Sequence, residues 1–212
     1  MRARPLGILL IILFVGYYFY PWLVAPKIDS TYTIVVLAQS QNRGGASGYN
    51  IDKDGAMLFQ QKFGCQIKDY PTETGNLNIL SLEVLIQPQN IIEIGGLVFP
   101  TFMYRTYNVQ EGFHPDVFWD NTTNSITSLN YVYPCNDNND FGLIVRMINP
   151  DLRRYVIFIM GYSGFCSYGG CVLLSEHPEL IQQNQYIIFK YVGQKSEGYR
   201  PTDNEVIIQE VG

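Results

Sequence analysis

Residues 5–26, which read PLGILLIILFVGYYFYPWLVAP, contain no charged side chain. A membrane-spanning helix needs about 20 consecutive apolar residues, and this run is long enough. Two arginines precede the run and a single lysine follows it closely, so the positive-inside rule places the N-terminus in the cytoplasm. The sequence therefore predicts a transmembrane anchor over 1–27, held in the lipid bilayer through residues 5–26. It also predicts an extracytoplasmic domain over 28–212.

A cleaved signal peptide is the alternative interpretation of the same run. The apolar region of a signal peptide is usually about 7–15 residues long, shorter than this one. Ala25 is the only small residue near the end of the run, and Pro26 follows it, which makes a poor cleavage site. These features favour an uncleaved signal anchor in the cell membrane.

The composition of the chain argues for a folded domain and against nucleic-acid binding. Hydrophobic residues make up 47% of the chain and charged residues only 16%, whereas disordered chains combine low hydrophobicity with high charge. The formal net charge is −5, and no basic stripe is present. Affinity for phosphate comes mostly from clustered Lys and Arg, so we expect no nucleic-acid partner.

The pattern of apolar residues predicts one α/β domain after the anchor. A β-branched run at 31–39 reads as a buried strand, and 51–64 reads as a helix that Gly64 ends. Hairpin signals dominate 116–133, where two strands are expected around a turn. We therefore expect a three-layer α/β domain with a mixed, mostly parallel sheet and an antiparallel insertion.

Glycine-containing loops follow several of the predicted strands. In open α/β sheets, ligands bind beyond the carboxyl ends of the strands, and glycine lets the backbone approach a ligand closely. The loops could line one ligand pocket, and its candidate residues are Arg43, Gly95, Gly96, Ser163 and Gly164. No loop matches the phosphate-loop or dinucleotide pattern, so no cofactor is predicted. Tight packing of strand against helix is the alternative, and it is the favoured one.

Four cysteines raise the question of a nucleophile, a metal site or disulfides. A catalytic cysteine needs a base, and neither of the two histidines has a motif that links it to a cysteine. Four cysteines in an extracytoplasmic domain are typical of two disulfides. The expected pairs are Cys166 with Cys171 and Cys65 with Cys135. The first pair requires a loop over 166–171, and reduced, buried thiols remain an alternative.

Two short polar stretches contain residue types that bind metal ions. The sequence GFHPDVFWD (112–120) gathers one histidine and two aspartates, and CNDNND (135–140) carries two more aspartates. The second stretch lacks the ligand series of a calcium loop, which ends in a glutamate. A polar loop that leads into a strand is the simpler interpretation of the first. No metal site is predicted.

Asn121 begins the glycosylation sequon Asn-Thr-Thr within the expected turn of the antiparallel insertion. The sequon is usable only on a surface turn outside the cytoplasm, and both conditions agree with the predicted topology.

Three further segments are Gly95-Gly96 at the end of a strand, DFGLI (140–144), and YVIFIMGYSGFCSYGGCVLL (155–174). Together they resemble membrane-anchored archaeal cell-envelope proteins that have a Gly-Gly-Pro loop. The resemblance covers residues 90–192. This chain departs from the pattern at Leu97, which replaces the proline, and at Ser167 or Tyr168, where the family has a Gly-Thr pair. The resemblance implies a location in the envelope and carries no activity with it.

These observations predict a non-catalytic single-pass membrane protein whose extracytoplasmic domain associates with other membrane or envelope proteins. It would act as an accessory subunit of a membrane complex or as a component of the cell envelope. The charge-poor, tyrosine-rich composition suits protein contacts, since interfaces are enriched in aromatic residues and depleted in Lys, Glu and Asp. An extracytoplasmic ligand-binding or sensor domain is the alternative function. An enzyme is the least favoured, because no nucleophile–base pair or metal set is visible.

Overall fold

The computed structural model describes residues 27–38, 45–71, 90–96, 116–120, 122–149 and 154–212. The predicted span over 5–26, the candidate ligand residue Arg43 and the sequon residue Asn121 lie outside these ranges. Within the ranges, none of the helices is both long enough and apolar enough to cross a membrane.

Seven strands form the main sheet, in the order β10-β9-β7-β8-β3-β1-β2. They are β1 (Tyr32–Ala38), β2 (Gln66–Pro71), β3 (Asn90–Gly96), β7 (Asp140–Asn149), β8 (Arg154–Gly161), β9 (Tyr186–Tyr191) and β10 (Val206–Val211). The expected mixed sheet of an α/β domain is confirmed, but the expected predominance of parallel pairing is wrong, since half of the strand pairs are antiparallel. Parallel pairing joins β8, β3, β1 and β2, and antiparallel pairing joins β8, β7, β9 and β10. The short connection between β7 and β8 accounts for the change, since parallel neighbours need a long crossover.

Three helices lie on one face of the main sheet. They are α1 (Gly45–Phe63), α2 (Gly164–Glu176) and α3 (Glu179–Gln183). Their buried side chains, such as Phe59 and Leu174, pack with Ile92 and Ile159 of the sheet in one apolar core. The expected helix at 51–64 therefore exists but begins six residues earlier, and Gly64, with a φ of 74°, ends it as expected.

A small antiparallel sheet covers the other face. It consists of β4 (Val117–Asp120), β5 (Ser125–Ser128) and β6 (Val132–Pro134). Val117, Trp119 and Ile126 point from it into a second core that includes Phe158 and Ile188 of the main sheet. The two strands expected around a turn within 116–133 are confirmed, and β6 extends them to a three-stranded insertion.

Candidate functional site

The carboxyl ends of β3 and β8 bring most of the candidate ligand residues together. Gly96 pairs with Gly161, and Gly95 pairs with Met160, so the glycines of both strands end side by side. Ser163 and Gly164 follow directly, because Ser163 is the N-cap residue of α2 and Gly164 is its first residue. The candidate residues that the structure describes thus lie together at the carboxyl ends of β3 and β8. Whether they bind a ligand stays a prediction.

A buried serine joins the two strand ends to the helix. The Ser167 hydroxyl donates to the Gly95 carbonyl oxygen at 3.0 Å and accepts from the Gly161 amide nitrogen at 3.1 Å. At Gly161 an added Cβ atom would lie 2.2 Å from the Ser167 nitrogen, closer than any side chain tolerates. The backbone of β8 and the first turn of α2 are therefore in direct contact, and glycine at 161 makes that contact possible.

The N-terminus of α2 holds a carboxylate of the protein itself. Asp140, 1% exposed, accepts hydrogen bonds from the Ser163 amide at 3.1 Å and from the Ser163 hydroxyl. The ammonium group of Lys195 lies 2.9 Å from the same carboxylate and also donates to the Asp137 carbonyl. A negative group is stabilised at a helix N-terminus by the exposed amides and by the helix dipole. At the first turn of α2, Asp140 occupies the position that an anionic ligand would take.

The two predicted disulfides are wrong, because all four cysteines are free and buried. Cys166 and Cys171 both lie in α2, where five residues of helix separate Cα atoms by about 8 Å, beyond disulfide reach. Cys65 lies in the core on the helical face, whereas Cys135 lies in the core on the opposite face. The strand-to-helix turn is thus held by Ser163, Ser167 and Asp140 rather than by a disulfide.

Burial also makes the four thiols poor nucleophiles. It raises the pKa of Cys65 to about 11 and that of Cys135 to about 12. The pKa values of Cys166 and Cys171 are raised well above the ordinary value of 9.0, again mainly because burial disfavours the thiolate. With pKa values this high, the thiols are protonated near neutral pH. They are inert there, because the thiolate is the reactive form.

Helix α1 carries a buried carboxyl group close to Cys171. Asp52 is 8% exposed, and its Oδ1 atom has no hydrogen-bond partner among the described residues. Burial raises its pKa from 3.8 to about 8, so the side chain is protonated at neutral pH. Its charged form contributes to the raised pKa of the Cys171 thiol. This carboxyl belongs to the packing of α1 against α2 rather than to an open site.

Asp120, one of the acidic residues in those two polar stretches, stabilises a turn. Asp120 accepts hydrogen bonds from the Thr122 amide at 2.8 Å and from the Thr123 hydroxyl at 2.7 Å, and these bonds lower its pKa. Among the residues that the structure describes, no group of three His, Cys, Asp or Glu side chains could hold a metal ion. Thr122 and Thr123 are exposed on the β4–β5 turn, as a sequon requires, although glycosylation of Asn121 stays a prediction.

The sequence patterns did not reveal an open apolar groove of about 410 Å³ beside β10. We call it the β10 groove, and its lining residues are Leu173, His177, Leu180, Asp203, Val206, Ile207 and Ile208. His177 lies at its rim between two carboxylates, with Nε2 3.3 Å from Asp203 and Nδ1 3.5 Å from Glu179. The signal in the sequence was the run Val206–Ile208, which puts apolar side chains on both faces of a strand at the sheet edge.

The entry of the chain into β10 is fixed by a cap. Glu205 accepts hydrogen bonds from the Thr202 amide at 2.8 Å, the Thr202 hydroxyl at 3.0 Å and the Tyr199 hydroxyl at 2.6 Å. A capping box of this kind satisfies backbone groups that would otherwise lack partners. These bonds fix the position at which β10, one wall of the groove, begins.

The chemistry of these surfaces carries the functional argument, since no protein-family model and no curated protein matches the chain.

Proposed function

We propose that the chain is a non-catalytic single-pass membrane protein whose extracytoplasmic domain associates with other proteins. It would be an accessory subunit of a membrane complex or a component of the cell envelope. The observation that carries the proposal is the β10 groove together with the exposed side chains of Ile207, Ile208 and Val211 on the edge strand.

The groove has the composition of a protein-binding surface. Its floor is apolar, with leucines from α2 and from the start of α3 facing isoleucine and valine of β10. Exposed apolar patches with a polar rim mark association sites on protein surfaces. The rim is acidic, through Asp203 and Glu179, and the chain as a whole is acidic. The partner that fits is a protein segment with large apolar side chains flanked by Lys or Arg.

The strand-to-helix edge supports a non-catalytic role. The hydroxyl groups of Ser163 and Ser167 are both engaged in bonds that hold the turn, and the Asp140 carboxylate is paired with Lys195. The thiols are buried and protonated. A nucleophile has to be accessible, and Ser167 and the four thiols are buried.

The uncharged run over 5–26 supports the membrane part of the proposal. In this arrangement a transmembrane helix over 1–27 precedes a three-layer domain over 28–212. The resemblance to membrane-anchored archaeal envelope proteins supports the same location, and so does a sequon on an exposed turn.

A pair of matched substitutions tests the association. Ile208→Asp places a charge in the groove, whereas Val192→Asp places one at a similarly exposed apolar residue that does not line it. The tagged full chain is purified from its native membranes in mild detergent and sized by native electrophoresis. We expect wild type and Val192→Asp to migrate with a discrete partner complex, and Ile208→Asp to lose it.

Circular dichroism of both variants controls for folding. A solitary monomer in the wild type would contradict the proposal. A partner complex that Ile208→Asp leaves intact would contradict the assignment of the groove. Extraction of the wild-type chain by alkaline carbonate would contradict the anchor, because a spanning helix resists that treatment.

A further inference from the structure

We propose that the turn between β5 and β6 rests in the interfacial layer of the lipid bilayer, so that the domain touches the membrane at a second point. We call this turn the β5–β6 tip and define it as Leu129, Asn130, Tyr131 and Val132. This inference rests on the proposed anchoring of the chain through residues 5–26.

The β5–β6 tip is the most exposed apolar feature of the described residues. Leu129 is 75% exposed, Tyr131 65% and Val132 61%, more than any other large apolar side chain there. No charged residue occurs from Asn121 to Asn136. Large apolar side chains that water surrounds, without charges among them, are typical of a surface that meets another phase or another protein.

The β5–β6 tip is held in place by one carboxylate. Glu210 of β10 accepts hydrogen bonds from the Ser128 hydroxyl at 2.8 Å, the Asn130 side-chain amide at 3.2 Å and the Tyr133 hydroxyl at 2.8 Å. A fourth bond comes from the Tyr186 hydroxyl of β9, at 2.8 Å. Bonds to a charged acceptor are the stronger kind, so the tip is fixed against the main sheet. Its exposure is thus a property of the folded surface.

The sheet topology places the β5–β6 tip at the edge where the chain enters the domain. Gly212 accepts from the Tyr186 amide at 2.9 Å, so β10 ends at the amino end of β9. Strands β9, β8, β3 and β1 run in the same direction, and β1 begins at Tyr32, five residues after Lys27. The tip and the junction with 5–26 therefore lie at the same end of the strands of the main sheet, the amino end of β1 and β9. Five strand spacings of about 4.8 Å separate β1 from β10, about 24 Å in all.

Thr122 and Thr123 of the sequon lie at the opposite end of the same small sheet. The Asn124 side chain donates to the Cys135 carbonyl at 2.8 Å, and the chain runs from there to Asp140. Asp140 pairs with Tyr191 at the carboxyl end of β9, far from the amino end where the tip lies. The exposed residues Thr122 and Thr123 and the β5–β6 tip thus lie at opposite ends of the small sheet.

A bilayer interface fits the β5–β6 tip better than a protein partner does. Tyrosine is enriched at the membrane–water interface, where its ring is apolar and its hydroxyl is wet. The Leu129 backbone amide donates to the backbone carbonyl of exposed Asp116 at 3.1 Å, so an acidic residue lies next to the tip. That carboxylate limits the contact to a shallow one. The proposed anchor over 5–26 puts a bilayer beside the end of the domain where the tip lies.

Nitroxide labels at introduced cysteines test the contact in the full chain. Leu129→Cys and Tyr131→Cys report on the tip, and Thr123→Cys is the matched control on the exposed turn at the other end of the small sheet. The four native cysteines are buried, so labelling falls on the introduced one. In phosphatidylcholine vesicles, accessibility to oxygen is compared with accessibility to a water-soluble nickel complex. We expect the oxygen-to-nickel ratio at 129 and 131 to exceed that at 123 several-fold.

The outcomes separate this inference from the proposed function. If the protein floats with the vesicles and all three labels are equally accessible to nickel, the inference is overturned while the anchor stands. If labels at 129 broaden each other's spectra, a second copy covers the tip and the inference is overturned as well. A protein that does not float with the vesicles would overturn the anchor and the inference together.

Discussion

Asp52 is a carboxyl group whose ionisation the folded chain opposes. In the unfolded chain its pKa is near 3.8, and in the folded chain burial raises it to about 8. The folded state therefore holds a proton that the unfolded state releases. The resulting cost to stability is absent below about pH 3.8, grows as the pH rises, and becomes constant above about pH 8.

Asp52→Asn removes this cost, because the amide cannot ionise. We expect the variant to match wild type near pH 3.5 and to exceed its free energy of unfolding by roughly 2–4 kcal/mol at pH 7. Urea denaturation of the full chain in detergent at several pH values measures the difference. Asp54→Asn is the control, since Asp54 lies two residues further on, is 37% exposed and pairs with Arg200. That variant should gain no stability, and an equal gain in both variants would contradict the account of Asp52.

The cysteines show what residue-level reasoning could and could not predict. Their number and the predicted compartment favoured disulfides, but spacing alone did not fix where α2 begins. Ser163 decides that point, because its hydroxyl accepts from the Cys166 amide at 3.2 Å and starts the helix before both cysteines. A serine three residues before a cysteine is a weak cap signal when the turn around it is rich in glycine.

Ser167 acts at the scale of elements, because it joins β3, β8 and α2. Removing its hydroxyl leaves the buried Gly95 carbonyl and Gly161 amide without that partner. An unsatisfied buried polar group costs about 1–3 kcal/mol, so we expect Ser167→Ala to lower the free energy of unfolding by roughly 2–3 kcal/mol. Chemical denaturation of the full chain in detergent measures the loss.

Ser175→Ala is the matched control for Ser167→Ala. Ser175 is also buried in α2, but its hydroxyl donates only to the Val172 carbonyl of its own helix, at 2.9 Å. We expect this substitution to cost less than about 1 kcal/mol. Equal losses from the two variants would mean that Ser167 does not join the three elements.

Strands were predictable from the sequence where they are buried, and the first residues of the helices were not. The β-branched run of β1 and the Gly64 stop of α1 both appear as expected. Helix α2 begins at Gly164, inside the stretch that glycine content marked as a loop. Packing against the sheet stabilises a glycine-rich helix that intrinsic propensity disfavours. At Gly170 an added Cβ would lie 2.7 Å from the Phe189 ring, so close packing is what this glycine allows.

The arrangement of the whole domain depends on two crossovers. The connection β1–α1–β2 advances toward one edge of the main sheet, and β8–α2–β9 advances toward the other. Both helices pack on the same face, so the two crossovers have opposite hands. Crossovers between parallel strands are right-handed in nearly all proteins, so one of these two departs from the rule. Among the described residues the small sheet, rather than a helix, covers the second face.

The central claim is that the domain lies outside the cytoplasm on an uncleaved N-terminal anchor. The most direct test is labelling of Thr123→Cys in intact cells with a membrane-impermeant maleimide, because this side chain is exposed and the native cysteines are buried. We expect the full-length, membrane-bound protein to be labelled equally before and after the cells are permeabilised. Labelling that appears only after permeabilisation would place the domain in the cytoplasm and contradict the account.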